Sequence, residues 1–153
     1  MTAANERETL LLTIEVDGRL CGVPVPQIRD VMRCDHIACV PLAPEGVAGV
    51  LNLRGRIVTA VDLRARLGLA PAAADAPRMN VVVEDGGELY SLLADEVGEV
   101  LSLPESTREE VPPTLRGAWR DHAIAVHRLP ERLLIELEPK RLLAFQRRAE
   151  GVA

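Results

Sequence analysis

Residues 49–69 read GVLNLRGRIVTAVDLRARLGL, and the fold turns on how this stretch is read. Val50–Leu53 is expected as a strand, Ile57–Val61 as its return, and Arg54-Gly55-Arg56 as the turn between them. Two apolar runs with so little loop between them make a β-hairpin. Asp62 then opens a short helix that runs to Leu67; its carboxylate caps an N–H that the first helical turn leaves unpaired. Gly68 stands where a helix end wants a left-handed residue. Apolar residues fall on both parities of the strands, Val50 with Leu51 and Val58 with Val61. That pattern predicts strands covered on both faces and a hairpin at the centre of the fold. Asn52 interrupts the apolar run. A buried amide must be hydrogen-bonded, so Asn52 is expected to brace the turn and fix the direction of Arg54.

Working outward, Leu10–Val16 and Arg19–Val23 form a first hairpin about Asp17-Gly18. Val25, Ile28, Val31 and Met32 recur at helical spacing, which predicts a short helix lying on the sheet. Cys39–Leu42 is expected as a brief strand, closed by the turn Pro44-Glu45-Gly46. Beyond the central stretch, Ala70–Ala76 has no periodicity and reads as a linker. The chain then begins again: strand Met79–Val83, turn Asp85-Gly86-Gly87, strand Glu88–Leu93. Asp95 is expected to cap a second short helix carrying Ala94, Val97, Val100 and Leu101. A shift of 69 places Gly18 on Gly87, Ile28 on Val97, Val31 on Val100 and Met32 on Leu101. A shift of 76 places Ile57, Thr59, Val61 and Asp62 on Leu133, Ile135, Leu137 and Glu138. The slippage falls in a Pro- and charge-rich loop, Pro104–Asp121. The chain is thus an internal repeat. Short strands at close spacing, without long crossover helices, predict a mainly β protein of two small barrels packed together. The halves divide at about 10–69 and 78–137, a C-terminal helix covers 138–148, and residues 1–8 and 149–153 are flexible tails.

Composition narrows the function. The 153 residues carry a net charge of −5 and only 2% aromatics, so neither a phosphate-tracking surface nor a base-stacking platform is expected. Three cysteines with no paired spacing do not suggest a disulfide framework. The start, MTAANERETL, is charged where a signal peptide would be apolar, and no apolar run is long enough to span a bilayer. A cytosolic, soluble protein is expected.

Catalytic constellations are weak. Cys34, His36 and Cys39 put three soft ligands within six residues, and a small hydrolase or metal-dependent enzyme would use them; the spacing matches no finger or ribbon. His122 and His127, five apart on an expected strand, would face opposite sides and serve packing or surface. No nucleophile elbow, phosphate-binding loop or dinucleotide fingerprint is present. Arg54 and Arg56 stand at a hairpin tip, and a braced arginine offers a preorganised planar fork to a partner.

At these residues the sequence resembles the CheW family, the adaptors of bacterial chemosensory arrays. The motif NLRG-x-I-V-x-x-V-D-L-R stands at Asn52–Arg64. Further matches are Gly22–Val31, Ala94–Leu101 and Arg132–Leu143, and the likeness extends over residues 9–145. The resemblance implies two five-stranded barrel subdomains about a shared core, no catalysis and no cofactor. It implies two partners: the regulatory domain of the histidine kinase CheA, and the cytoplasmic tip of a chemoreceptor. The receptor groove would take Ile28, Asp30 and Val31 on one wall, Glu96, Val97 and Val100 on the other, with Asn52 and Arg54 at its rim. The kinase would contact Val40, Leu42 and Val47. An adaptor of a non-chemotaxis array, governing pili or a second messenger, would have the same sequence features.

Overall fold

The computed structural model describes residues 7–73 and 75–144. The chain runs β1 (Glu8–Val16), β2 (Arg19–Pro24), β3 (Ile28–Arg33), β4 (Val47–Leu53), β5 (Arg56–Asp62) and α1 (Leu63–Arg66). It continues β6 (Met79–Asp85), β7 (Glu88–Ala94), β8 (Glu96–Pro104), β9 (Arg108–Glu109), α2 (Ala118–His122), β10 (Ala123–Arg128), β11 (Leu133–Leu137) and α3 (Pro139–Leu142). The fold is mainly β, as the short strands predict.

The strands form two mixed sheets. One has the order β8-β1-β2-β11-β10-β9, the other β3-β6-β7-β5-β4. Each sheet therefore takes a hairpin from each side of the 70–76 linker. The hairpins meet in parallel pairs, β2 with β11 and β5 with β7, and the halves also join through the antiparallel pairs β1 with β8 and β3 with β6. The repeat holds down to register: Cys21 pairs with Ile135, and their equivalents Tyr90 and Thr59 pair likewise. The two barrels expected from the repeat are not seen as closed barrels. Each half gives its first hairpin to the other half's last hairpin, and both sheets keep free edges.

Both expected covering helices are strands. Val25–Gln27 makes one 3-10 turn, and β3 follows; Val97–Leu101 lies in β8. The cause of the misreading is a bulge at the same place in each copy. The ladder of β3 on β6 shifts between Ile28 and Asp30, and that of β8 on β1 shifts opposite Leu12 and Ile14. A bulge inserts one residue, so two side chains on one face stand three apart, not two. Ile28 and Val31 thus imitate helical spacing. The central stretch fares better locally: Asp62 Oδ1 accepts the Arg64 N–H at 3.0 Å and Gly68 has φ +73°. Its hairpin is not central, however. β4 is an edge strand, bridged outward only by Ala38 on Val50. The cover expected on both faces is present on β5, where Val58 and Val61 are fully buried in different clusters, but Ile57 near the tip is 67% exposed. The brief strand expected at Cys39–Leu42 reduces to that bridge at Ala38. The C-terminal helix expected over 138–148 is one turn, Pro139–Leu142, capped by Glu138; residues 145–148 lie outside the described part.

Three apolar clusters hold the sheets. The largest lies between them and draws Ile14, Val23, Leu92, Val61, Leu137 and Leu142 from both halves. Burial of such side chains contributes about 1.5–3 kcal/mol each. Leu11, Leu103 and Leu134 cluster on the other face of the six-stranded sheet. Val58, Val82 and Leu89, joined by Met32 of β3 and Leu51 of β4, do so on the five-stranded sheet. Met32 and Leu51 come from its opposite edges, so that sheet curls until its edges approach.

Candidate functional site

The approach of these edges explains the tip of the β4–β5 hairpin. Leu53 pairs with Arg56, which leaves Arg54-Gly55 as a two-residue turn with φ +51° and +87°. Both central residues must then be left-handed, an uncomfortable state for an arginine. Asn52 Oδ1 accepts the Gly55 N–H at 2.9 Å and steadies the turn. The brace expected of Asn52 is present, but its amide is exposed rather than buried. Arg54 is directed across the gap to β3, where Nη1 donates to Asp30 Oδ2 at 2.9 Å. Asp30 also accepts the Val31 N–H at 2.8 Å, so it is held from the main chain as well. The Arg54 side chain stays 78% exposed.

Ile28 and Val31 lie on the face of β3 that looks into the space between the sheets, opposite Val83 and Val81 of the shared core. Val97 and Val100 hold the equivalent positions on β8, opposite Ile14 and Leu12 of the same core. Ile28 and Val97 pack against that core, whereas Val31 and Val100 are exposed at 36% and 53%. These four side chains form two apolar margins of one core. Between the strand ends runs a cleft of about 420 Å³, lined by Arg33 and Cys34 on one side and Glu96 and Val97 on the other. Glu96 is exposed. Arg54 pairs with β3 and has no bond to this second wall.

Three contacts that sequence reading missed position the walls. Arg64 grips Asp95 with two bonds, 3.0 and 2.8 Å, and gives a third at 3.0 Å to Ala70 O. Asp95 Oδ2 also accepts the Asp17 N–H at 2.7 Å, so one carboxylate ties α1 to the start of β8 and to the β1–β2 turn. Burial alone would raise the Asp95 carboxyl; the Arg64 pair and the Asp17 bond outweigh it and hold it below its ordinary value. Asp95 is no helix cap; Arg64 in the DLR motif was the available signal. Arg66 donates to Leu142 O at 3.0 Å and lies 3.1 Å from His122 Nε2. His122 Nδ1 is 2.6 Å from Ala118 O, which makes Nδ1 the protonated nitrogen and Nε2 the acceptor from Arg66. His122 thus ends α2 and does not share a strand with His127.

The fully buried His127 belongs to a network in the six-stranded sheet. Nε2 is 2.8 Å from Glu136 Oε1 and Nδ1 3.0 Å from Thr107 Oγ1; Arg108 donates to the same Glu136 oxygen at 3.0 Å. Its sealed position makes it a structural joint. Cys34, His36 and Cys39 do not gather: no group of three His, Cys, Asp or Glu suited to a metal occurs among the described residues. Burial pushes the Cys34 thiol up, away from the thiolate a metal needs.

The residues assigned to a kinase contact are separate from this groove. Val40 is exposed, Leu42 is fully exposed with φ +61°, and Val47 opens β4 against Val61. Leu42 and Ile57 are the most exposed large apolar side chains described, and Ile57 was not singled out from sequence. No helix among the described residues is long and apolar enough to cross a membrane.

Comparison with known proteins agrees with this architecture. The crystal structure of the scaffolding protein TtCheW from Thermoanaerobacter tengcongensis superposes with a TM-score of 0.77 at 23% identity, over 86% of this chain and 89% of that one, and so shares the fold. A probable chemotaxis protein CheW of Rhizobium etli is 26% identical over 136 residues, 88% of each chain. Protein PilI of Pseudomonas aeruginosa is 30% identical over 101 residues, 66% of this chain and 57% of PilI. The family model for the CheW-like domain matches residues 10–147, and the chain therefore belongs to the CheW family of non-catalytic chemotaxis scaffolds.

Proposed function

We propose that this protein couples chemoreceptors to a CheA-type histidine kinase in the cytoplasm, where it is recruited to membrane-associated receptor arrays. The cytoplasmic tip of a receptor docks by the apolar face of a helix. Ile28 and Val31 form one margin of its groove, Val97 and Val100 the other, and Asn52, Arg54, Asp30 and Glu96 set the polar rim. The regulatory domain of the kinase docks on Val40, Leu42 and Val47. Coupling then needs no chemistry: a partner bound on one face biases the partner on the other through differential affinity.

The observation that supports this reading best is the four-residue apolar margin of the shared core. Two of its valines, Val31 and Val100, stay exposed beside Ile28 and Val97, which pack against that core. Arg54, braced by Asn52 and aimed at Asp30, adds a rigid donor beside it. Arg54→Glu is expected to reverse the charge at the rim and lower receptor recruitment about tenfold or more, because a braced guanidinium loses little entropy on binding. A receptor pull-down with circular dichroism as the folding control decides it; recruitment at the wild-type level by a folded variant refutes the assignment. Leu42→Asp is expected to weaken kinase binding and leave receptor recruitment unchanged.

The similarity to PilI favours a second reading, in which the same surfaces serve an array that governs pili. Identification of the kinase that co-purifies with the protein separates the two.

A further inference from the structure

A second cleft, of about 660 Å³, lies among the β1–β2 turn, the β10–β11 turn and the loop before α2. This is the size of a small-molecule site. Three arginines line it, Arg19, Arg116 and Arg132, and no carboxylate does, on a chain whose net charge is −5. Two of the three are held in place. The Arg19 guanidinium lies over the Trp119 ring, 5.1 Å from its centroid. Arg132 donates to Gly18 O at 2.8 Å; the nearest carboxylate, Glu15, is 3.8 Å from its other nitrogen, too far for a hydrogen bond. Arg116 is exposed and has no ion pair among the described residues. The loop that carries it is pinned by Arg120, which donates to Pro112 O and Leu115 O at 3.0 and 3.3 Å. None of these residues takes part in the receptor or kinase surfaces.

We propose that this cleft binds a nucleotide, with its phosphates between Arg116 and Arg132 and its base on Arg19. Planar guanidinium forks pair with phosphate oxygens two at a time. Three cations lining one cleft, with Glu15 at 3.8 Å from Arg132 as the one carboxylate paired with them, suit a ligand that concentrates several negative charges within a few ångströms, as a di- or triphosphate does and a carboxylate peptide does not. Arg19 is exposed, and one face of its guanidinium rests on the indole. The other face is open to a planar ring, and arginine planes stack on bases. Leu20 and Ile135 supply apolar wall beside it.

Titration calorimetry on the full chain tests this with GDP, ATP, pyrophosphate and an octaglutamate peptide as separate probes. One-site binding of GDP or ATP is expected, weakened about tenfold or more by Arg116→Glu and by Arg19→Ala, since each variant removes a charge-assisted or stacked contact. Pyrophosphate is expected to bind more weakly than either nucleotide and to be indifferent to Arg19→Ala. Arg116 is exposed, so an unchanged melting temperature certifies that the variant is folded. Absence of saturable nucleotide binding at millimolar concentration overturns the proposal, as does nucleotide binding that Arg116→Glu leaves intact. Pyrophosphate binding as tight as nucleotide overturns the base-stacking role, and octaglutamate binding without nucleotide binding assigns the cleft to an acidic protein segment.

Discussion

The two sheets are copies of one pattern, yet their edges are tied in different ways. In the six-stranded sheet the chain itself passes from edge strand β8 through one 3-10 turn, Glu105–Thr107, into β9 at the other edge. That end is tied to β10 and β11 by a polar network in which half-buried Thr107 and Arg108 are bonded to buried His127 and Glu136. In the five-stranded sheet the corresponding seam, between β3 and β4, is spanned by an exposed ion pair, Asp30–Arg54, and by one bridge, Ala38 to Val50. The equivalence is close: Val126, the counterpart of Val50, pairs with Glu109 as Val50 pairs with Ala38. A network satisfied in a low dielectric rigidifies, whereas an exposed pair contributes little and stays available. The second copy therefore carries the satisfied network, and the first leaves the β4 edge, Arg54 and Ile57 exposed to solvent.

The largest effect is expected at the buried network of His127 and Glu136. Glu136→Ala strips the buried His127 and Arg108 of their shared acceptor and should cost about 3 kcal/mol, read from the urea midpoint. At the open seam, Gly49 has φ +151°, and a Cβ there would run into Ala38 O. Gly49→Ala should cost about 2 kcal/mol through backbone strain and loss of the bridge. Hydrogen exchange should accelerate at Ala38 and Val50, which bond each other at 2.8 and 2.9 Å, before it does at β10 and β11. Uniform acceleration would mean that the two regions do not open separately.

A pH dependence sharpens the picture at the junction of α1 with α2. Burial lowers the His122 pKa, and the Arg66 charge adds to this, against a bond to Ala118 O that acts the other way. A histidine depressed in the folded state leaves stability complete above about pH 6.5, its unfolded value. Stability then falls as the pH drops toward the lower folded value, because the unfolded chain takes up the proton first. Urea titrations from pH 7.5 to 5 should show this slope in wild type, and His122→Gln should flatten it. The smallest stability effect belongs to Arg54→Ala, under about 1 kcal/mol for a pair whose arginine is 78% exposed. A larger loss would mean that the clasp holds the sheet together and is not kept for recognition.

Much of this was legible in the sequence because it is local. Asp17-Gly18, Gly55 and Gly86-Gly87 mark their turns by the positive φ they permit, and Asp62 and Glu138 cap their helices as side chains within reach of N–H groups two residues on. The repeat, its register and the family motif at Asn52–Arg64 are equally matters of residue order. Ile28 and Val31 were misread because a bulge gives strand residues the spacing of a helix, and only the pairing partner reveals a bulge. That β4 lies at an edge, that the halves exchange hairpins, and that Arg54 finds Asp30 while Arg64 finds Asp95, are decided by contacts 24 and 31 residues apart. Local chemistry chose the turns, caps and strands; the tertiary structure chose which edges stay open, since an edge exists only relative to the strand that does or does not pair with it.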